Sequence, residues 1–91
     1  MQFEWDLRKE VSNRRKQGVG FREAATVFGD PLATTFPDPD HSAFEERFLT
    51  IGESASGRML VVAHSESGKN IRIISARRVT RREREFYEEA R

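Results

Sequence analysis

The sequence predicts a single α+β domain over residues 1–91, an antiparallel sheet with two N-terminal helices and one C-terminal helix, in the order β-α-α-β-β-β-β-α. Three observations carry this. A chain of 91 residues has room for one core. Apolar residues at helical spacing are confined to the two ends of the chain, and period-two strand signals separated by Gly and Ser turns stand between them. The absence of cysteine excludes a disulfide framework, thiolate catalysis and a Cys-ligated zinc site. Charged residues make up 34% of the chain, yet seven Phe, one Trp and one Tyr are more than a disordered segment carries, so the chain is expected to fold. The longest apolar run, Met59 to Ala63, falls far short of a membrane span, and the start lacks signal-peptide character. The expectation is a soluble cytoplasmic protein with no membrane partner.

Phe3-Glu4-Trp5 alternates as a short strand. Asp6 then caps a helix that carries Leu7 and Val11 at i, i+4 and ends at Gly18, a residue suited to the left-handed C-cap. A second helix places Phe21, Ala24, Ala25 and Phe28 on one core-facing stripe and stops at Gly29-Asp30-Pro31. Leu32 to Phe36 reads as a strand, and the proline-containing run Pro37 to Ser42 as a loop. Strands over Glu46–Glu53, Arg58–Ser65 and Asn70–Arg78 follow, joined by Ala55-Ser56-Gly57 and Glu66-Ser67-Gly68-Lys69 as an antiparallel meander. Thr80-Arg81-Arg82-Glu83 is a capping box that opens a last helix with Glu83, Phe86, Tyr87 and Ala90 on one face.

The net charge of +1 conceals a segregated distribution. Six cations face one acid between Arg8 and Arg22, seven acids face Arg47 alone between Glu23 and Gly57, and seven arginines face four glutamates from Arg72 onward. Thirteen of the sixteen cations are arginine, whose planar fork binds phosphate at two points. This pattern suits a cationic cleft for an anionic ligand; it also suits solvated charged faces. The acidic middle of the chain reads as a solubilising face.

No metal cofactor is expected, because the two histidines, His41 and His64, are not spaced as a ligand pair. They read as a polar loop residue and a sheet-surface residue. The densest feature is Asn70 to Arg78. Strict alternation puts Arg72, Ile74 and Ala76 on one face and Ile71, Ile73, Ser75 and Arg77 on the other. An arginine within a sheet needs either an internal carboxylate, for Arg72 that of Glu45 or Glu46, or an external phosphate. Lys16, with Arg14 and Arg15, adds charge at the end of the first helix, either as a solvated terminus or as part of the same cleft. Tyr87 either packs or presents its hydroxyl near the arginine strand. On RNA such groups suffice without a metal: the 2′-hydroxyl attacks the adjacent phosphate, Arg or Lys neutralises the developing charge, and a proton relay completes the step.

Taken together, several stretches resemble the BrnT family of bacterial type II toxins. They are Phe3-Glu4-Trp5-Asp6; Asn13 with Lys16 and Gly18; Phe21 with Ala24; Phe28 to Leu32; Asp38; His41-Ser42; Glu45 to Phe48; Ile51-Gly52; Ile71 to Arg77; and Thr80, Glu83, Arg84 and Tyr87. The resemblance runs in order along nearly the entire chain. It implies a RelE-like fold, an RNA-cleaving toxin that halts translation, no metal cofactor, and a BrnA-type ribbon-helix-helix antitoxin through which any DNA contact is made indirectly. Carried onto this chain, it implies Lys16, Arg72, Arg77 and Tyr87 as basic and proton-relay positions, with Glu46, Arg47 and Ser75 in support. One position departs from the family: Lys16-Gln17-Gly18 stands where Lys-His-Gly is usual. Glutamine holds a substrate by hydrogen bonds but exchanges no proton near neutral pH, so either the usual histidine is not the essential acid or base, or this member cleaves slowly, or His41 substitutes, or the chain is a non-catalytic RNA- or protein-binding module.

Overall fold

In the computed structural model, which describes residues 1–38 and 46–89, local signals set most element boundaries. β1 (Gln2–Glu4) leads into α1 (Leu7–Gln17), where the Asp6 carboxylate accepts from the backbone N–H of Arg8 at 2.8 Å and of Lys9 at 3.2 Å. Gly18 ends α1 at φ 70°, a conformation that costs glycine nothing. α2 (Phe21–Thr26) passes into a 3₁₀ turn (Val27–Gly29), then β2 (Thr34–Pro37), β3 (Arg47–Glu53), β4 (Met59–Ser67), β5 (Asn70–Arg78) and α3 (Arg81–Glu89). The capping box forms as expected, with Thr80 N–H donating to Glu83 at 2.8 Å and Glu83 N–H to the Thr80 hydroxyl at 3.2 Å.

The described strands form one sheet in the order β1-β5-β4-β3-β2. β2 to β5 are antiparallel, as the short turns require. β1 joins the far edge parallel to β5, pairing Glu4 with Arg72, so the sheet is mixed rather than antiparallel throughout. The helical segment from α1 to the 3₁₀ turn carries the chain from β1 to β2 at the opposite edge, and the meander β2 to β5 brings it back beside β1.

Both sheet faces are used. On one, Val19, Phe21, Ala24 and Val27 pack on Leu60, Val62, Ile73 and Ala76. On the other, Tyr87 of α3 packs with Ile51, Met59 and Val61, and the Phe86 and Phe36 rings meet edge to face at 6.2 Å. We refer to these as the α2 face and the α3 face. Gly52 is required on the α2 face, because an added Cβ would stand 2.9 Å from Val27 Cγ1 and 3.0 Å from Ala33 Cβ.

Two expectations are corrected here. Leu7 and Val11 are exposed, at 74% and 46%, so α1 is not seated by an apolar stripe. Its anchor is the buried Asn13, whose amide donates to the carbonyls of Val19 at 2.8 Å and Ala76 at 2.9 Å and whose carbonyl accepts from Ala76 N–H at 3.2 Å. Asn13 thereby continues the edge of β5 beyond the end of β1. His64, expected at the sheet surface, is fully buried between Phe28 and Phe48. Its Nε2 lies 2.7 Å from the Thr50 hydroxyl, and burial pushes its pKa down to about 4.

Asn13→Ala should cost about 2–4 kcal/mol by urea denaturation, because it orphans three backbone groups. Stability should also fall on acidification between pH 6.5 and 4, by up to about 3 kcal/mol, since the unfolded chain binds the His64 proton throughout a window in which the folded chain does not. His64→Gln should flatten that segment of the pH profile; an unchanged slope would assign the acid sensitivity to another group.

Candidate active site

The geometry of the site comes from one irregularity in β5. Ser75 pairs with Ala63 and Ile73 with His64, so Ile74 is an extra residue, a β-bulge. The alternation reverses there. Residues paired in register share a face, which puts Ile73 and Ala76 on the α2 face and Arg72, Ser75 and Arg77 together on the α3 face. The expected alternation, with Arg72 beside Ala76 and Arg77 beside Ile73, is therefore overturned.

The register continues across the sheet. Arg47 of β3 pairs with Ser65 of β4, Ser65 with Arg72 of β5, and Arg72 with Glu4 of β1, giving one row on the α3 face. Two strand spacings set Arg47 and Arg72 about 10 Å apart, with Ser65 between them and Ser75 farther along β5. Glu4, not Glu46, is the carboxylate beside Arg72, at 3.8 Å, and Glu45 lies outside the described residues. Both partners are about half exposed, so solvent screens the pair and leaves the guanidinium able to meet an external anion. Sequence reasoning missed Glu4 as a site residue. Only the parallel pairing of β1 with β5 brings it there, and strand partners across such a crossover leave no local signal.

Arg77 is placed differently. Its two guanidinium nitrogens donate to the two Glu83 carboxylate oxygens at 2.8 Å each. That bidentate bond holds the Glu83 carboxyl at about 2 and raises Arg77 further, and it ties α3 to β5. Tyr87 is buried, and its hydroxyl donates to Asp30 at 2.7 Å, so it belongs to the α3 core and not to the Arg72 row.

Lys16 and Gln17 line a groove between α1 and β5 whose floor is Ile74, the bulged residue. Both are exposed. Arg14 is held by Glu10 at 3.2 Å, Arg15 is exposed on α1, and Glu46 is exposed just before β3. His41 lies outside the described residues. Among the described residues no group of three His, Cys, Asp or Glu side chains is placed to hold a metal ion, and no helix is long and apolar enough to cross a membrane.

A polar, arginine-bearing sheet face on a small α+β domain agrees with what the comparisons with known proteins return. Residues 5–83 match a family described as the ribonuclease toxin, BrnT, of a type II toxin-antitoxin system, which defines the class. The chain belongs to this BrnT family. It is similar to the Brucella abortus ribonuclease toxin BrnT, known from a 1.1 Å crystal structure, with 25% identity and a TM-score of 0.69 over 89% of this chain and 99% of that one. No curated protein matches the chain.

The two β5 arginines should respond differently to truncation. Arg77→Ala should lower stability by about 1–2 kcal/mol through loss of the α3 tether, whereas Arg72→Ala should stay within about 0.5 kcal/mol. Equal thermal shifts for the two variants would contradict this division of roles.

Proposed function

We propose that the chain is a metal-independent endoribonuclease toxin of the cytoplasm that cuts RNA on the α3 face and so inhibits translation. A BrnA-type ribbon-helix-helix antitoxin restrains it and supplies any DNA contact. The observation that carries this reading is the row Arg47–Ser65–Arg72 on one sheet face, with Ser75 beside it and Glu4 at its end.

Arg72 and Arg47 neutralise the phosphate charge that grows as the 2′-oxygen bonds to phosphorus. Ser75 donates a hydrogen bond to the same phosphate. The 2′-hydroxyl proton passes to the Glu4 carboxylate, the P–O5′ bond breaks, and the 5′-oxygen takes a proton from solvent or from Lys16. The products are a 2′,3′-cyclic phosphate and a 5′-hydroxyl. Lys16 and Gln17 hold the chain of the substrate from the β5 edge, with Arg14 and Arg15 adding to the field, and Arg47 and Glu46 border the row on its other side. Arg77 contributes by fixing α3, and Tyr87 by fixing α3 to Asp30. His41 is retained as an alternative proton donor.

A non-catalytic RNA-binding reading is favoured by Gln17, which stands where the family usually carries histidine. Incubation of the purified protein with a long RNA in EDTA separates the two. Cleavage is expected, slowed about 10²–10³-fold by Arg72→Ala and less by Arg47→Ala, with growth arrest on expression relieved in parallel. Intact but shifted RNA would instead establish the binder, and full toxicity in both variants would remove the row from the mechanism.

A further inference from the structure

Carboxylates hold a specific subset of the cations. Glu10 holds Arg14, Glu23 holds Arg58, Glu83 holds Arg77, and Glu85 stands 3.7 Å from Arg81 and Glu4 3.8 Å from Arg72. Several of the cations outside this subset lie along one path. Arg8, Lys9 and Lys16 line the groove between α1 and β5, a hollow of roughly 320 Å³ with no carboxylate among its lining residues. All three are exposed, and none has an ion-pair partner among the described residues. Arg8, Ser12 and Lys16 follow at i, i+4 and i+8, one side of α1 over about 12 Å.

At the end of α1 the path continues. Arg58 donates to the Gly18 carbonyl at 3.0 Å, which sets its guanidinium against the last turn of the helix. Arg58 also lines a second hollow, of roughly 330 Å³, together with Arg78 from the end of β5 and Arg84 from α3. Glu23 neutralises Arg58, but Arg78 and Arg84 are exposed and have no carboxylate partner among the described residues. The first hollow thus runs along α1, and the bond from Arg58 to the Gly18 carbonyl brings the second to the end of that helix, while Arg8, Lys9, Arg78 and Arg84 are not members of the Arg72 row.

We propose that these hollows form one track for the backbone of single-stranded RNA flanking the cut. The inference rests on the ribonuclease reading and adds the length and path of the substrate. A charged groove that follows the backbone without reading bases is how single strands are held, and a flexible strand follows the turn at Gly18. The track makes affinity grow with RNA length beyond the few nucleotides that the Arg72 row can touch. It also makes that growth dependent on salt, since each phosphate engaged releases counterions.

The test uses uncleavable 2′-O-methyl RNA, a tetranucleotide and a dodecanucleotide, titrated against the wild type and the variant Arg8→Ala/Lys9→Ala/Arg78→Ala/Arg84→Ala across a salt series. The dodecanucleotide should lose affinity roughly 10-fold or more, with its log–log salt slope shallower by about 2–3, while the tetranucleotide is held equally well by both proteins. All four substitutions are at exposed positions, and an unchanged circular dichroism melt verifies the fold. Equal losses at both lengths, or none, would overturn the track. So would loss of polyglutamate binding with RNA binding retained, which would assign the surface to an acidic protein partner. If the wild type cleaves RNA in EDTA and length makes no difference, the track alone fails; if it neither cleaves nor binds RNA, the ribonuclease reading fails with it.

Discussion

The arrangement of the site depends on one extra residue in β5. Arg72 and Arg77 are five positions apart, and in a regular strand that separation puts them on opposite faces. A bulge at Ile74 restores them to one face and keeps Ile73 and Ala76 together in the α2 core. The distortion is held from the side by Asn13, which binds both the N–H and the carbonyl of Ala76, two residues past the bulge. A buried side-chain amide that takes the place of an absent strand is costly to lose, because every partner it satisfies is a backbone group with no other bond available. Asn13 therefore sets the position of α1 and supports the altered phase of β5 at once, and Lys16 and Gln17, a turn further along α1, are placed against Ile74 by that contact.

What was legible in the sequence follows from how far each signal reaches. Asp6, Gly18 and the Thr80–Glu83 box act within a few residues, so α1 and α3 were readable to within a residue at their capped ends. The three-strand meander was readable because Gly57 and Gly68 sit in short turns with positive φ. The face of each β5 side chain was not readable, since a period of two carries no mark where a bulge reverses it. Nor was the parallel addition of β1, which depends on contacts across the length of two helices and three strands. Leu7 and Val11 matched a helical stripe but point to solvent, because Asn13 and not an apolar row seats that helix. His64 lay on β4 next to the partly exposed Ala63 and yet is fully buried, where its one satisfied nitrogen and its aromatic neighbours offset the loss of water.

The charge balance shows a similar division. Glu23 joins Arg58, Ser54 and Ser56 in one network that ties α2 to the β3–β4 turn, and its carboxyl is lowered to about 2 chiefly by the Arg58 bond. Glu83 does the corresponding work for α3. These carboxylates hold elements together by neutralising arginines, so a net charge of +1 for the whole chain understates the positive character of the surfaces they leave uncompensated. An anionic ligand meets the local arrangement and not the total, because screening removes distant charges within about 10 Å.

Element lengths explain why, among the described residues, no helix lies over one half of the α3 face. α3 is nine residues long, about 14 Å as a helix, while β4, also nine residues, extends about 30 Å. One short helix can cover only about half of the sheet beneath it. The covered half carries Ile51, Met59 and Val61, and the other half carries Arg47, Ser65, Arg72 and Ser75. Apolar side chains are spent where α3 lies, and polar ones stand where it ends. A longer helix on the same face would bury the arginine row and impose the desolvation of each cation. The site is thus the part of the sheet that the C-terminal helix is too short to reach, and the bond between Arg77 and Glu83 marks the boundary between the two halves.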